Sequence, residues 1–589
     1  MKEAHMFRKL ILVSVLLTVM ALLAACDGAG SPGSQVSNAI EISIIYAPES
    51  ALYMPQTIEE FNRAYSQGRN PLTGQPVARD ERPIIVNDLT GGKGGSSGTV
   101  MQGIVNAIIA PNNQNVARPT IFAPSVSHWL ALANELAGRE LFDLGDAQAT
   151  ALAPVVMAIW ESRLQAIRDK VGYDDIGWEE LLNVLESPNG WCDYDVPNCR
   201  RTVYYGHTDP YISSTALSTL IAEYYAAARK NGFTGRTLTL DQVRDPDVQA
   251  GVRRIEQLIR HYSSRTTEFK FYIAQGPDYV DFVALEENDL IFINQGKTDI
   301  KPPEKLVALY PKEGTFWHEH PFGIVKANWV TPEQQEAARV FTQYVLTKPV
   351  QERIMSFGFR PANPDVPLAY PFEPENGVTR QGPGTVLDVP DSKVIVAIQQ
   401  NWSLVKKQAD IMVLIDVSGS MLEEGKLEQA KQAAEAFLNE MDAGNRVGLA
   451  VFNDTVQTPL VPLGSLETVQ NAIRERIRGL RADGGTALYS ALVEVVGDLS
   501  RQDDSDRIRA VVLLSDGADT ASSHTLSDAV STILASRDAL NPIIVIPVAY
   551  GQSADIGTLN GIARASSTSV QSGDPQNIRS VLEIISSYF

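Results

Sequence analysis

Short apolar runs alternate with amphipathic stretches along most of this chain, in two successive patterns. In residues 40–371 the runs have the length of strands, and the stretches between them repeat apolar positions every three or four residues, as helices do. Such alternation is typical of parallel α/β units. Predicted strands are Ile40–Ala47, Pro83–Leu89, Pro119–Ala123, Val155–Ile159, Val203–Gly206 and Leu290–Asn294. Predicted helices are Pro55–Tyr65, Thr99–Ile109, Ser127–Leu136, Trp178–Leu185, Ser214–Asn231, Asp245–His261 and Pro332–Thr347.

The second pattern covers the last third of the chain and is more regular. Its apolar runs suit strands that are buried on both faces of a parallel sheet. They are Ile411–Ile415, Val447–Phe452, Ala510–Leu514 and Ile543–Val548, with amphipathic helices between them and a last helix at Ile578–Phe589. Residues 361–390 are rich in Pro, Gly and Asn, which indicates a linker. The predicted domains are therefore 40–371 and 408–589, joined by residues 372–407.

The amino terminus predicts export. Two basic residues precede the apolar run Leu10–Ala25, which is short for a membrane span and has the charged-then-apolar order of a secretory signal. The run ends in Leu23-Ala-Ala-Cys26, which resembles the lipobox of bacterial lipoproteins. The resemblance implies a signal peptide over residues 1–25, a lipid on Cys26, a tether over residues 26–39 and an extracytoplasmic location on the cell membrane. A plain signal peptide, or an anchor helix with a chance cysteine, is the alternative.

The two remaining cysteines, Cys192 and Cys199, lie close together in the sequence. An isolated pair in an exported protein favours a short-loop disulfide. The alternative is a metal site in which both thiols join Asp193 and Asp195. Two cysteines without a nearby histidine make such a site the weaker interpretation.

Charge excludes one class of partner. The chain has 50 basic and 70 acidic residues, a formal net charge of −20 and a pI near 4.9. Such a field repels polyanions, so we expect no nucleic-acid partner. The hydrophobic content of 44% is that of ordinary globular domains, and we expect membrane contact only through the lipid anchor.

Oxygen-bearing side chains follow the strands of the carboxy-terminal pattern. Asp416, Ser418 and Ser420 come directly after its first strand, and Asp516 comes shortly after the third. Thr486 precedes a predicted helix. Because the carboxyl ends of parallel strands meet at one edge of a sheet, we expect these side chains to converge. Carboxylate and hydroxyl oxygens suit Mg²⁺ or Mn²⁺, although each residue alone could be a turn or capping residue.

The order Asp-x-Ser-x-Ser, then Thr, then Asp resembles the metal-ion-dependent adhesion site of von Willebrand factor type A domains. The resemblance covers residues 408–589 and implies a doubly wound, Rossmann-like domain with Mg²⁺ (or Mn²⁺) at this site. It also implies a protein partner whose carboxylate completes the metal's ligand shell. Ser515 stands where members of the family often have threonine, whereas the ligand-bearing Asp516 is present. The motif holds no general base, so the resemblance implies binding and not an enzyme.

Residues 40–371 resemble the extracytoplasmic solute-binding proteins that are associated with ABC transporters. The resemblance rests on Tyr46-Ala-Pro-Glu-Ser50, Gly94-Gly-Ser-Ser-Gly98, Ala123-Pro-Ser-Val-Ser127, Ile176-Gly-Trp-Glu-Glu-Leu181, Thr208-Asp-Pro-Tyr-Ile-Ser-Ser-Thr215 and Tyr310-Pro-Lys-Glu-Gly314. It implies a two-lobed, periplasmic-binding-protein-like α/β module. The first lobe would run from 40 to about 155 and the second from about 160 to 315, after which the chain returns to the first.

Hydroxyl groups cluster at three predicted helix starts of this module. They belong to Ser96, Ser97, Ser125, Ser127, Ser213, Ser214 and Thr215. Helix amino termini present unpaired N–H groups and a positive dipole end, so such starts can bind a small polar or anionic solute. Serine and threonine are also the usual helix caps, which is the structural alternative.

Two further motifs give rival interpretations. Ser96 within Gly94-Gly-Ser-Ser-Gly98 formally matches a hydrolase nucleophile elbow, but six residues separate it from the predicted strand, whereas an elbow has none. His318-Glu-His320 could bind metal, although the flanking Trp317 and Pro321 indicate a packed crossing between lobes. We therefore predict a lipid-anchored binding protein. The rivals are a surface hydrolase and an adhesion or assembly protein whose amino-terminal module binds nothing.

Overall fold

A computed structural model describes residues 38–111, 116–199, 203–263, 266–502, 506–516, 518–537, 542–551, 553–566, 568, 570–586 and 589. The predicted signal peptide, Cys26 and most of the predicted tether lie outside these residues. Within them, no helix combines the length and the apolar character that crossing a bilayer requires.

The described chain forms eighteen strands and nineteen α-helices. The strands are β1 Ile40–Tyr46, β2 Ile84–Asp88, β3 Ile121–Ala123, β4 Gln148–Ala149, β5 Ala151–Trp160, β6 Tyr205–Thr208, β7 Ile259–Ser263, β8 Phe282–Glu286, β9 Leu306–Leu309, β10 Trp317–His318, β11 Pro321–Ile324, β12 Arg360–Pro361, β13 Ala409–Asp416, β14 Arg446–Phe452, β15 Val456–Ser465, β16 Ile508–Ser515, β17 Ile543–Tyr550 and β18 Gln571–Gly573. The helices are α1 Met54–Ser66, α2 Ser97–Ile109, α3 His128–Ala137, α4 Glu161–Val171, α5 Trp178–Leu185, α6 Ser214–Lys230, α7 Leu240–Arg244, α8 Pro246–Glu256, α9 Thr266–Ile273, α10 Glu287–Asn294, α11 Pro332–Val345, α12 Lys348–Ser356, α13 Ser392–Val405, α14 Lys426–Glu440, α15 Leu466–Gly479, α16 Leu488–Ser500, α17 Leu526–Arg537, α18 Ile556–Ala565 and α19 Ile578–Ser586.

The first lobe of the amino-terminal module is built on a five-stranded sheet in the order β2-β1-β3-β11-β4. Strands β2 and β3 run parallel to β1, whereas β11 is antiparallel to both of its neighbours. Helices α1, α11 and α12 contribute to one apolar core with this sheet, around Phe61, Phe322 and Phe341. Strand β11 and helices α11 and α12 come late in the chain, so the chain returns to this lobe as predicted.

The second lobe is built on a mixed sheet in the order β10-β5-β8-β6-β7, with β9 and β12 also paired to β5. Helix α6 lies inside this lobe, and 15 of its 17 residues are buried. The buried part of this helix has no polar face, so a charged side chain within it must find its partner inside the protein.

The carboxy-terminal domain has one six-stranded sheet in the order β15-β14-β13-β16-β17-β18. All pairings are parallel except β14 with the edge strand β15. Helices α14, α15 and α19 pack on one face, and α16, α17 and α18 pack on the other. This is the predicted doubly wound α/β arrangement, so the predicted fold class is confirmed for both parts of the chain.

Helix α13 lies within residues 372–407, the segment predicted as a linker, and it packs against both lobes. The Ser392 hydroxyl donates to Glu135 of the first lobe at 3.2 Å. In the second lobe, the Tyr211 hydroxyl donates to the Gln399 carbonyl at 2.6 Å. Strand β13 begins four residues after α13 ends. The segment is therefore a packed connection that leads straight into the central strand of the carboxy-terminal domain.

Two predicted elements were wrong in type or length. The run Leu290–Asn294 is part of helix α10, because an apolar run of this length does not distinguish a strand from a buried helix. The helix predicted over Asp245–His261 ends at Glu256, and β7 follows because it pairs with β6. Here pairing between distant segments overrides the local pattern.

Candidate metal site and solute cleft

Asp416 is the last residue of the central strand β13 and is fully buried. One of its carboxylate oxygens accepts the Ser418 N–H at 2.8 Å, and the other accepts the Ser515 hydroxyl at 2.7 Å. Burial raises the pKa of Asp416 to about 6, because desolvation disfavours the charged form. The parallel strands β13 and β16 thus bring Asp416 and Ser515, which was not a predicted site residue, together at one sheet edge.

Asp516 directly follows β16, and its side chain is also fully buried. One carboxylate oxygen accepts the Ser420 hydroxyl at 2.7 Å, and the other accepts the Lys426 ammonium at 2.7 Å. The Ser418 and Ser420 hydroxyls lie 3.1 Å apart. Hydrogen bonds therefore link the two aspartates through both serines into one cluster.

Thr486 follows a loop that backbone hydrogen bonds hold against the loop of Ser418 and Ser420. Asp483 N–H donates to the Val417 carbonyl, and Gly419 N–H donates to the Gly484 carbonyl, both at 3.0 Å. A left-handed φ of 73° at Gly484 lets the second loop turn close to the first. Thr486 itself is buried and lies two residues before the first residue of α16, Leu488.

The charge of this cluster fits a bound divalent cation. Asp416 and Asp516 bring two carboxylates, and among the described residues Lys426 is the cation that touches them, with only 3% of its side chain exposed. The hydroxyls of Ser418 and Ser420 add hard oxygen donors between the carboxylates. Hard oxygen ligands with a surplus negative charge are what Mg²⁺ or Mn²⁺ require.

Sequence reasoning missed Lys426. It is the first residue of α14, and lysine at a helix surface is normally exposed, so nothing in the pattern indicates burial. Its ammonium also lies 3.3 Å from the Ser553 hydroxyl, while its carbonyl accepts the Tyr550 hydroxyl. The lysine thus joins the sheet edge that carries Asp516 to the loop that follows β17.

The hydroxyl-rich helix starts of the amino-terminal module meet at one cavity between the lobes. Its lining includes Pro48, Glu49, Ser96, Ser97, Ser125, Ile212, Ser213, Ser214 and Thr266. Its volume of about 10 Å³ holds a single water molecule, so the lobes are closed on each other here. The predicted residues Ser127 and Thr215 lie outside the lining. The Ser127 N–H donates to Glu319 at 3.1 Å, and Thr215 is buried in α6.

Glu49 is an acidic group in this cavity that the sequence did not predict. Its carboxylate accepts the Ser125 hydroxyl at 3.2 Å. Burial, together with the nearby charges of Glu286 and Asp289, raises the pKa of Glu49 to about 7. The carboxyl group disfavours an anionic solute and favours one that carries positive charge or donates hydrogen bonds.

His318 and His320 lie at the crossing between the lobes, fully inside the protein. His318 Nδ1 lies 2.7 Å from one oxygen of Glu286, and His320 Nε2 lies 3.2 Å from the other. Contact with the two histidines lowers the pKa of Glu286 to about 2, against the opposing effect of burial. The pair forms the packed crossing that its neighbours Trp317 and Pro321 indicated.

The predicted disulfide between Cys192 and Cys199 is present, with the Cα atoms 5.1 Å apart. Asp193 instead accepts hydrogen bonds from Ser187 and Asn189. The alternative of a thiol metal site with this aspartate is therefore wrong.

Comparison with known families agrees with both parts of this architecture. The von Willebrand factor type A domain family matches residues 411–518, and the bacterial extracellular solute-binding protein family matches residues 139–378. The chain joins a solute-binding module to a von Willebrand factor type A (VWA) domain. The solute-binding family is extracellular, which supports an extracytoplasmic location for the chain.

Individual relatives share only part of their length with this chain. Human inter-alpha-trypsin inhibitor heavy chain H6 is 28% identical over 166 residues, which are 26% of this chain and 12% of that protein. A UPF0353 protein of Mycobacterium tuberculosis is 30% identical over 121 residues, 20% of this chain and 36% of that protein. Among solved structures, the sulfate-binding protein SubI from M. tuberculosis aligns with a TM-score of 0.35 and 17% identity, covering 62% of this chain and 96% of its own.

Proposed function

We propose that this chain is a lipid-anchored, extracytoplasmic binding protein in which the VWA domain binds a protein partner through a divalent cation. The cation is Mg²⁺ or Mn²⁺, held by Asp416, Ser418, Ser420, Thr486 and Asp516. The solute-binding module closes on a small polar solute. The proposal assigns binding, not catalysis, to both parts.

The observation that carries the VWA proposal is the linked cluster of two buried aspartates and two serine hydroxyls. One lysine leaves this cluster with one surplus negative charge. The neighbouring surface fits a partner: Leu422 of the loop that follows Ser420 is 67% exposed, and Glu423 beside it is exposed too. An acidic rim repels a partner's carboxylate until a cation is bound, so partner binding depends on the metal.

The proposal is tested by Mg²⁺ titration calorimetry on the full chain and its Asp416→Ala variant. Removal of one of two carboxylate ligands should abolish measurable Mg²⁺ binding. The fold should persist, because the apolar strands that form the core do not depend on this carboxylate. Asp498→Ala, at the far end of α16, is the matched control and should bind Mg²⁺ as the parent does. Equal Mg²⁺ affinity in the parent and in Asp416→Ala would contradict the proposal.

The cleft proposal rests on five serines and Glu49 around one cavity that lies between the two lobes. A thermal-shift panel of cationic, neutral and anionic solutes tests it, since a ligand of the folded state raises the melting temperature. Cationic or neutral polar solutes should raise it and anions should not. A panel with no effect would favour the adhesion or assembly alternative, in which this module binds nothing.

A surface hydrolase that uses Ser96 is the remaining alternative. Strand β2 ends at Asp88 and α2 begins at Ser97, so the serine lies at a helix start after a loop and not on a strand-to-helix elbow. Within the described lining of the cavity the acid is Glu49, and no histidine is among the lining residues. This geometry favours solute binding over nucleophilic catalysis.

The lipid anchor is tested through Cys26, the residue that the lipobox resemblance marks for acylation. Cys26→Ser should release the mature chain from membranes or block its processing, because the acylated thiol is lost. Detergent partitioning of parent and variant after expression in a bacterial host measures the effect. Identical partitioning of the two would rule out lipidation at this position.

A further inference from the structure

A second group of potential metal ligands lies in the solute-binding module, far along the chain from the VWA motif. It consists of His207 on β6, Glu223 on α6 and Glu256 at the end of α8. One ligand atom from each residue lies within 4.8 Å of the others. The three residues are 2%, 0% and 0% exposed. They therefore form a closed group inside the protein.

Each of the three residues has one buried polar atom without a hydrogen-bond partner among the described residues. These atoms are His207 Nε2, Glu223 Oε2 and Glu256 Oε1. Buried polar atoms are almost always paired, and an unpaired one is costly. Three such atoms in one group, all of them potential metal ligands, point to a cation that binds them together.

The second polar atom of each of these side chains forms a hydrogen bond, as is usual for residues that bind a metal. His207 Nδ1–H donates to the Thr208 carbonyl at 2.6 Å, which leaves the Nε2 lone pair free for a metal. The Tyr205 hydroxyl donates to Glu223 Oε1 at 3.0 Å, and the Tyr262 hydroxyl donates to Glu256 Oε2 at 2.7 Å. Each ligand is thereby oriented by a second bond.

A shared proton does not account for the group as well as a cation does. The carboxyl groups of Glu223 and Glu256 lie within hydrogen-bond reach of each other, so a proton between them would pair their oxygens, but it would leave His207 Nε2 without a partner. No cationic side chain among the described residues bonds to either carboxyl group. Lys406, whose charge acts on Glu256, is itself paired with Asp442. A divalent cation satisfies all three atoms and both charges at once.

We propose that His207, Glu223 and Glu256 bind a structural divalent transition-metal cation. One imidazole nitrogen and two carboxylate oxygens suit Zn²⁺ or a similar ion better than the all-oxygen sites of Mg²⁺. Atoms within 4.8 Å of one another all lie within about 2.8 Å of a common point, so bonds of about 2.0–2.2 Å need only a small inward shift.

The position of the site gives it a structural role between the two parts of the chain. The indole ring of Trp402 on α13 stacks on the His207 imidazole, with ring centroids 5.5 Å apart and planes 27° apart. Helix α13 leads into the VWA domain, and α6 and α8 also contact it. A cation at this point fixes β6, α6 and α8 as the surface on which α13 rests.

The proposal is tested on the full chain with Asp416→Ala as the background, so that the VWA site contributes no bound metal. Mass spectrometry of the elements should find about one equivalent of a transition metal in the purified protein. After chelation, added Zn²⁺ should raise the melting temperature by several degrees, while Mg²⁺ should not. These two measurements need no change in the proposed ligands.

Glu223→Gln and Glu256→Gln keep the shape of each side chain and remove one anionic ligand. Both should lose the bound metal and the response to Zn²⁺. Glu180→Gln is the matched control, because Glu180 is a buried carboxylate that already bonds Lys312 and Tyr173. It should keep the metal. Less than about 0.1 equivalent of metal, no response to Zn²⁺ and a Glu256→Gln variant as stable as its parent would overturn the proposal and leave a protonated carboxyl pair.

Discussion

Two pairs of buried carboxylates in this chain differ in whether a cationic side chain is bonded to them. In the VWA domain, Lys426 is bonded to Asp516, and the other three carboxylate oxygens accept two serine hydroxyls and one serine backbone N–H. In the solute-binding module, Glu223 and Glu256 have tyrosine hydroxyls but no bonded cation among the described residues. The first pair is satisfied before any metal binds, whereas the second leaves ligand atoms unpaired.

This difference predicts that the VWA site can lose its metal with little loss of stability, whereas the second site cannot. A built-in ammonium group lowers the free-energy cost of the metal-free state, so we expect the proposed cation of the VWA site to exchange with solution and to respond to its concentration. A site without such a group depends on its metal for stability, because unpaired buried polar atoms destabilise the folded state. We therefore expect the VWA cation to regulate binding and the second cation to maintain structure.

The largest expected effect comes from Lys426→Met, which removes the built-in cation. Without Mg²⁺, the free energy of unfolding should fall by about 3–5 kcal/mol, because Asp516 is left as an uncompensated buried charge. Saturating Mg²⁺ should restore much of the loss, since the metal replaces the missing charge. Denaturant unfolding with and without Mg²⁺ measures both changes.

The matched control is Lys431→Met on the same helix. Lys431 pairs with Glu428, whose side chain is 69% exposed, so its loss should cost no more than about 1 kcal/mol. A Lys426→Met variant that Mg²⁺ leaves equally unstable would show that the lysine does not stand in for the metal.

The next effect concerns the hydroxyl groups that orient the second site. Tyr205→Phe removes the bond to Glu223 and should weaken Zn²⁺ binding about 10- to 100-fold, the usual effect of losing such a partner. Its Mg²⁺ affinity at the VWA site should not change. Competition with a chromogenic chelator measures the Zn²⁺ affinity.

Tyr65→Phe is the control for that substitution. Tyr65 also donates its hydroxyl to a glutamate, Glu81, but in the first lobe. It should keep full Zn²⁺ affinity, and an equal loss in both variants would mean that the Tyr205 effect is not local to the site.

The smallest effect extends the comparison to a fifth carboxyl group, Glu49 of the cleft. Its pKa of about 7 lies above the ordinary value of 4.5, so the stability that its protonated form contributes is fully present below pH 4.5 and is lost as the pH rises through 7. Glu49→Gln, a neutral mimic, should match the parent at pH 4.5. At pH 8 the free energy of unfolding of the variant should exceed that of the parent by about 1–2 kcal/mol, because solvent reaches part of this carboxyl group and weakens the effect.

Denaturant unfolding at the two pH values checks this prediction. An equal difference between variant and parent at both values would mean that Glu49 titrates normally.

The VWA cluster could be predicted because its residues follow strands in the sequence. A parallel sheet aligns the ends of β13 and β16, so Asp416 and Asp516 meet wherever the strand pattern is read correctly. Lys426 could not be predicted, since its burial depends on how α14 packs beside the loop that contains Ser553. The part of the site that depends on backbone topology could be predicted from the sequence, and the part that depends on side-chain packing could not.

The second site could not be predicted from spacing. His207, Glu223 and Glu256 lie on three elements, and only their packing brings them together. One signal was available: Glu223 stands among Leu220, Ile221, Ala222 and Tyr224 in a helix without a polar face. A charged residue in such a setting marks a buried group that needs a partner, although the sequence does not name the partner.

Helix α13 couples the angle between the two lobes to the orientation of the VWA domain. It touches the first lobe through Ser392 and the second through Gln399, and it ends four residues before the strand that carries Asp416. If the cleft opens, this helix cannot keep both sets of contacts, so it must turn with one lobe and slide on the other. The VWA domain would then turn with that lobe, and we expect a solute inside the cleft to set the direction in which the edge with Asp416 and Asp516 points.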